Sequence, residues 1–137
     1  MKSLLAPALA LLTGLGLPVL GGPIVIHEIM YHPAPAVPED NGLEWVELRN
    51  PGTNAVELRG WSFTKGVSFT FSNSTVLPAG GYLVVAADVG KFAARYPGVL
   101  NVTGPWQGVL GNNGEEIAIA DAAGTEQDAV EIGRAHV

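Results

Sequence analysis

The residues best suited to chemistry stand near the start of the chain, where His27 and Glu28 are followed by His32. The spacing reads H-E-x-x-x-H, one residue longer than the H-E-x-x-H motif of zinc-dependent proteases. On a helix the two imidazoles would lie about 140° apart, so they could not face one metal ion. On a strand they would point to opposite faces. The pattern therefore predicts a polar cluster at a strand end, before a turn at Pro33, and no metalloprotease site.

Three carboxylates, those of Glu28, Glu44 and Glu47, raise the question of acid–base catalysis. Two neighbouring carboxyl groups can divide the acid and base roles when burial raises the pKa of one of them. Glu44 and Glu47 are three residues apart, however, and a strand places such residues on opposite faces. Nothing in the sequence fixes Glu28 beside either of them. We therefore predict no catalytic residue in this chain.

A polar stretch, Glu39-Asp40-Asn41, offers side-chain oxygens of the kind that bind calcium. The chain lacks the D-x-D-x-D-G spacing of an EF-hand loop, and adjacent polar residues more often form a solvated loop. It also lacks a G-x-S-x-G nucleophile motif and a glycine-rich phosphate loop followed by Lys and Ser or Thr. The prediction is no metal ligand and no cofactor, and calcium at this stretch stays open as the alternative.

Four aromatic residues, Tyr31, Trp45, Phe92 and Trp106, could line a sugar-binding face. Aromatic side chains are more often buried, because they contribute much of the apolar area of a core. An exposed planar row of these rings would favour carbohydrate binding, whereas their burial would favour docking to another kind of partner.

Composition excludes several classes of function. The chain has 137 residues, no cysteine, and 7 basic against 13 acidic residues, which gives a formal net charge of −6. Without cysteine there is no disulfide, thiolate nucleophile or zinc–thiolate site. The acidic balance provides no cationic surface for a nucleic acid or an anionic membrane. The 18 glycines and 10 prolines are scattered without a period, which is typical of the turns of an all-β domain.

Residues 1–22 have the layout of a secretory signal peptide. Lys2 precedes an apolar stretch from Leu4 to Leu20, and small residues follow it. A membrane-spanning helix needs about 20 consecutive apolar residues, whereas prolines and glycines interrupt this run. We therefore expect export to the cell envelope or the medium, with no membrane span once the signal is removed. A disulfide-free exported domain suits a bacterial protein better than a eukaryotic one.

From Ile24 onward, short apolar runs alternate with turn clusters, which predicts strands. Between them, Asp88–Tyr96 has an N-capping aspartate and aromatic residues four positions apart, which predicts one short helix. Strands spaced about 8–12 residues apart favour a β-sandwich spanning residues 23–131. The predicted strands are 24–31, 44–49, 55–58, 60–63, 67–71, 82–87, 116–120 and a last one from Ala129.

The predicted core of this sandwich contains Trp61, Phe69, Phe71, Tyr82 and Val84. Trp61 follows Gly60 at a strand start, where one large ring can fill the middle of a sandwich. The alternation in 67–71 places Phe69 and Phe71 on one face. The continuous apolar run 82–87 is typical of a strand that is buried on both sides.

Several stretches, in this order, resemble the lamin tail domain family. The fragments are IVIHEIMYHP, EWVELRNPGTNAVELRGWSF, FTFSNSTVLPAGGYLVVAADVGKF, YPGV and GPWQGVLGNNGEEIAIADAAG, and the resemblance covers the chain from about Ile24 to Glu131. Bacterial members commonly have Asn where this chain has His27. The resemblance implies an immunoglobulin-like β-sandwich that belongs to an exported bacterial protein.

The same resemblance implies a non-catalytic interaction or adhesion module within a larger protein. Its partner would be a protein or a cell-surface polymer. The acidic charge balance, and not the resemblance, excludes a nucleic acid. Two other functions remain open: an accessory domain that supports a downstream hydrolase or spore-coat-H-type kinase, and a carbohydrate-binding module.

The last six residues, 132–137, break the strand pattern without forming a turn. They match the translation of a common sequencing-adapter oligonucleotide. We therefore expect a non-native tail after Glu131, with no role for Arg134 or His136, in a chain whose native form continues into further domains.

Overall fold

The short apolar runs of the chain form strands that are separated by turns and loops. The computed structural model describes residues 23–31, 40–111 and 114–132. These residues contain ten strands, one α-helix, α1 (Val89–Arg95), and one 3-10 helix (Asn41–Leu43). The strands are β1 (Val25–Met30), β2 (Trp45–Arg49), β3 (Val56–Glu57), β4 (Ser62–Lys65), β5 (Phe69–Thr70), β6 (Val76–Leu77), β7 (Tyr82–Ala86), β8 (Val102–Thr103), β9 (Glu115–Ala120) and β10 (Glu126–Ile132).

Two four-stranded sheets form the body of the domain, with the strand orders β1-β2-β7-β8 and β10-β9-β4-β5. Paired strands are antiparallel, except that β7 and β8 run parallel. Strands β3 and β6 form a separate pair. Apolar side chains from both sheets meet in one main cluster. The predicted all-β sandwich with one short helix is confirmed.

Trp61 lies in the main cluster and is only 1% exposed. The preceding residue, Gly60, has a φ of 86°, and a Cβ there would lie 2.9 Å from the Cβ of Ala122. Glycine is therefore the residue that lets the chain turn into β4 at this point. The other buried members of the cluster are Ile24, Ile26, Val46, Leu48, Val56, Leu58, Phe63, Val67, Phe71, Leu77, Leu83, Val85, Trp106, Leu110, Ile117, Ile119 and Ile132.

A second, smaller cluster lies on the outer face of the β1-β2-β7-β8 sheet, where α1 packs against it. The carboxylate of Asp88 accepts a hydrogen bond from the Lys91 N–H and caps the helix, as predicted. Phe92 and Tyr96 project from the helix toward Trp45, with ring centroids 6.2 Å away in both cases. Strand β7 is therefore buried on both sides where the helix covers it. The cluster consists of Trp45, Val84, Ala86 and Phe92, with Met30, Tyr96, Val99 and Val102 partly buried around them.

The five residues expected in the core differ in how deeply they are buried and in the cluster to which they belong. Trp61 and Phe71 are buried in the main cluster, and Phe69 is half-buried against it. Val84 is buried in the second cluster beneath α1. Tyr82 is 39% exposed, so its assignment to the core is wrong. It lies at the start of β7, and its ring contacts Arg49 and His27 rather than the core.

The expected domain limits fall partly outside the described residues. The signal segment 1–22 and residues 133–137 of the expected tail lie outside them. Ile132 is described, and it ends β10 with a side chain that is 7% exposed in the main cluster. The last strand therefore extends one residue beyond the expected limit at Glu131. The last strand also begins at Glu126 rather than near Ala129. No helix in the described ranges is long and apolar enough to cross a bilayer.

The Glu57 carboxylate links β3 to the segment before β6, and we expect this link to weaken in acid. Its oxygens accept hydrogen bonds from the Ser74 hydroxyl and from the N–H groups of Arg59 and Thr75. These bonds, led by that of Ser74, hold the pKa of Glu57 below its ordinary value of 4.5. The charged form therefore stabilises the fold above that value, and the contribution is lost as the pH falls through the lowered pKa.

Glu57→Gln should accordingly be less stable than the native chain at pH 7, and the difference should shrink toward about pH 3. Urea denaturation at a series of pH values measures it. Some acid sensitivity should persist in the variant, because the Lys91 ammonium also holds the pKa of Asp40 below its ordinary range. A difference that stays constant from pH 7 to pH 3 would contradict the role given to the charged carboxylate.

Candidate functional site

A β-bulge in β1 organises the outer face of the β1-β2-β7-β8 sheet. The pairing with β2 runs from Ile26 opposite Leu48 directly to Glu28 opposite Glu47, so His27 is an extra residue. A bulge changes which side chains share a face of the sheet. His27 and Glu28 consequently lie on the same outer face as Glu47. The expectation that nothing holds Glu28 beside Glu47 is therefore wrong.

The position of the bulge can be recognised from the spacing of the apolar residues in β1. Ile24, Ile26 and Ile29 all pack in or against the main core. A regular strand would alternate strictly, whereas these core positions are spaced by two and then by three residues. The change in spacing from two to three residues locates the bulge. The register with β2, however, is needed to place Glu47 on the same face as His27 and Glu28.

Side-chain contacts on this outer face link His27 to Glu47 and Tyr82, and Tyr82 to Arg49. His27 Nδ1 lies 3.0 Å from Glu47 Oε1. The His27 ring also packs edge-on against Tyr82, at 5.2 Å between centroids, and the Arg49 guanidinium lies 5.4 Å from the Tyr82 ring centroid. The Glu28 side chain makes no hydrogen bond or ion pair within the described residues. His32, the second histidine of the sequence motif, lies outside those residues.

His27, Glu28 and Glu47 each offer a ligand atom, and these atoms lie within 4.8 Å of one another. One imidazole and two carboxylates could bind a divalent metal ion, although the sequence predicted no metal ligand. All three side chains are wholly or partly open to solvent. The arrangement is therefore a surface cluster of possible ligands.

A groove of about 370 Å³ adjoins the acidic residues of the cluster. The charged residues of its lining are Glu28 and Glu47. The remaining lining is apolar and comes from the second cluster, namely Met30, Trp45, Val84, Phe92, Tyr96 and Val99. The groove thus combines two acidic groups with an apolar and aromatic wall.

The aromatic residues considered for sugar binding do not form an exposed row. Trp45, Phe92 and Trp106 are 9%, 4% and 5% exposed, respectively, and Tyr31 is half-buried against the main core. Trp106 belongs to the main core, on the other side of the sheet from the groove. By the criterion set out from the sequence, this burial favours docking over carbohydrate binding.

Of the residues considered for calcium, Asp40 is bound by other groups of the chain. Asp40 binds the ammonium of Lys91, with oxygen–nitrogen distances of 2.8 and 2.9 Å, and also accepts a hydrogen bond from the Gly42 N–H. Asn41 begins the 3-10 helix. Glu39 lies outside the described residues. The Asp40 carboxylate therefore joins the 3-10 helix to α1.

Two buried polar residues, Glu44 and Asn50, serve the scaffold. Glu44 is 1% exposed and accepts a hydrogen bond of 3.0 Å from the Leu110 N–H. It is buried while Glu47 lies on the outer face, so these two carboxylates are separated as predicted. Asn50 is fully buried, and its side chain bonds to three backbone groups.

The sequence was also compared with known families and proteins. The family model described as Lamin Tail Domain matches residues 20–134, which include every strand of both sheets. A search of curated proteins finds no match to the chain.

Proposed function

The chain belongs to the lamin tail domain family, and from this premise we propose that it is a non-catalytic interaction module of a larger exported bacterial protein. The family is immunoglobulin-like and not usually catalytic. The module would bind a protein or a cell-surface polymer outside the cytoplasm, in the cell envelope or the medium. The layout of residues 1–22 supports export, and the resemblance described above supports a larger parent protein.

The observation that carries the proposal is the groove on the outer face of the β1-β2-β7-β8 sheet. The inner face of this sheet is occupied by the main core, and α1 covers only part of the outer face. Glu28, Glu47 and Tyr96 are accessible there beside apolar side chains. Concave sites with a mostly apolar lining and a few polar groups are typical of ligand-binding surfaces.

The free edge of this sheet is a weaker candidate for docking. A bare edge strand can accept a further strand from a partner. At the edge strand β1, however, the Ile26 N–H already donates a hydrogen bond of 2.7 Å to the Asp128 carboxylate of β10. This contact occupies one of the groups that an added strand would use, so the groove is the better surface.

Selection from a displayed random-peptide library tests the proposal. The full chain should enrich a recurrent peptide pattern. Val99→Lys, which places a cationic side chain in the groove lining beside Glu28 and Glu47, should abolish the enrichment. Val76→Lys is the matched control, because Val76 is 47% exposed on β6 and does not line the groove. Enrichment that survives Val99→Lys, or none with the native chain, would overturn the proposal.

We expect no detectable binding to duplex DNA at about 150 mM salt. Affinity for DNA depends on basic groups that displace counterions, and this chain carries a net charge of −6. Both described lysines are already paired: Lys65 lies 2.9 Å from Glu116 and Lys91 lies 2.8 Å from Asp40. These carboxylates raise the pKa of both lysines. A fluorescence-anisotropy titration measures binding, and a salt-sensitive micromolar affinity would contradict the expectation.

A further inference from the structure

We propose that the groove binds one lysine or arginine side chain of a partner protein. Glu28 and Glu47 would bind the cationic head, and the apolar wall would pack against the aliphatic stem. This inference rests on the proposed function, because it specifies the chemistry by which the interaction surface selects its partner.

The first argument is the placement of the two carboxylates. Glu28 and Glu47 are directly opposite each other in the β1–β2 ladder and lie on the same face. Like charges at opposed positions destabilise a sheet. Of the two carboxylates, only that of Glu47 is hydrogen-bonded to His27, and the Glu28 side chain has no hydrogen-bond or ion-pair partner within the described residues. A cation placed between the two carboxylates would remove their repulsion.

The second argument is the wall beside them. A bare ion would use the carboxylates and leave the apolar part of the groove without a role. Lysine and arginine carry a charged head on an aliphatic stem, and they commonly lay that stem along apolar surface. Here Met30 and Val99 provide aliphatic contacts, and Tyr96, whose ring centroid lies 6.0 Å from the Arg95 guanidinium, adds aromatic carbon atoms to the wall.

The third argument is that other ligands would bind in the groove less favourably. A purely apolar side chain would cover Glu28 and Glu47 and remove them from water without a compensating partner, which is unfavourable. An acidic side chain would be repelled. A divalent metal ion could use the His27 nitrogen with both carboxylates, but it would leave the apolar wall of the groove without a contact. The combined groove therefore fits a long basic side chain better than any of these.

The test uses blocked pentapeptides in which Lys, Arg, norleucine or Glu stands between two alanine pairs. Each is titrated into the isotope-labelled full chain and followed by nuclear magnetic resonance. The Lys and Arg peptides should shift the amide signals of Glu28, Glu47 and Tyr96, with a Kd below about 2 mM. The norleucine and Glu peptides should bind at least about fivefold more weakly.

Glu28→Gln is the decisive variant, because Glu28 is exposed and its side chain has no hydrogen bond within the described residues that the change would break. It should weaken binding of the Lys peptide about fivefold. Glu116→Gln is the control: it removes the same charge from an exposed residue on β9, in the other sheet, and should leave the affinity unchanged. The spectra themselves report whether each variant is folded.

Three results would overturn the inference. They are the absence of shifts with the basic peptides at about 10 mM, equal affinity for the norleucine peptide, and an affinity of the Lys peptide for Glu28→Gln that equals its affinity for the native chain. Failure here is distinguishable from failure of the proposed function. A library that yields groove-dependent peptides without basic residues would retain the function and refute this inference, whereas a library with no enrichment would refute both.

Discussion

Trp61→Ala should lower the free energy of unfolding by about 3–5 kcal/mol, the range for deleting a large aromatic side chain from a core. The ring is 1% exposed in the main cluster between the two sheets. The backbone on either side of it is held in place, because the Trp61 N–H donates to the Leu58 carbonyl and its own carbonyl accepts from the Phe71 N–H, both at 2.9 Å. A framework fixed in this way cannot collapse fully around the cavity, so the loss should fall in the upper part of the range.

Urea denaturation of the full chain measures this loss, with Tyr82→Ala as the matched control. Both residues are aromatic and both were expected in the core, but Tyr82 is 39% exposed. Its removal should cost about 1 kcal/mol, from the lost ring contacts with Arg49 and His27. A loss below about 1 kcal/mol for Trp61→Ala would be inconsistent with its role at the centre of the sandwich.

The exposure of Tyr82 could not be predicted from the hydrophobic pattern of its strand. The run 82–87 is apolar throughout, and this correctly predicts a strand buried on both sides. One of those sides is buried by α1, however, and the helix covers Val84 and Ala86 but leaves Tyr82 open. Where a helix docks on a sheet depends on tertiary packing, which the strand's own residues do not record.

Two of the four two-residue strands, β6 and β8, were not predicted, for a related reason. Two residues are too few for any alternation to be recognised, whereas β3 and β5 lie within the longer runs 55–58 and 67–71. Both exist because a partner strand pairs with them: β6 pairs with β3, and β8 pairs with β7. Longer elements such as β2, β7, β9 and α1 have enough residues for their pattern to be read directly, and their predicted positions agree closely with the structure.

The candidate site was partly predictable. The polar character of His27 and Glu28 was evident from the sequence, and the family resemblance is confirmed by the match over residues 20–134. The assembly of these residues with Glu47 depends on one extra residue in β1 and on the register of a neighbouring strand. The apolar side of the groove depends in turn on the position of α1. A binding surface built from two strands and a helix therefore emerges only at the level of tertiary structure.

Asn50→Ala should cost about 2–4 kcal/mol of stability, because it leaves several backbone groups without hydrogen-bond partners. Asn50 is fully buried. Its side-chain amide donates to the carbonyls of Asn54 and Leu77, at 2.8 and 2.9 Å, and its side-chain carbonyl accepts from the Gly52 N–H at 3.0 Å. Its backbone also bonds to Gly80 and Gly81. The residue thus ties the turn after β2 to the turn before β7.

Asn50→Asp separates this hydrogen-bonding role from the effect of side-chain volume. The replacement keeps the size of the side chain and its acceptor toward the Gly52 N–H, but an ionised carboxylate cannot donate to the carbonyls of Asn54 and Leu77. At pH 7 it should therefore destabilise the chain at least as much as Asn50→Ala.

Burial and the facing carbonyls would raise the pKa of the new carboxyl group in the folded state. Protonation restores one donor, so the penalty should shrink as the pH falls through that raised pKa and grow again as the pH rises. Urea denaturation at pH 7 and at about pH 4 compares the two variants. If Asn50→Asp matched the native chain at pH 7, the link between the two turns would not depend on the amide donors.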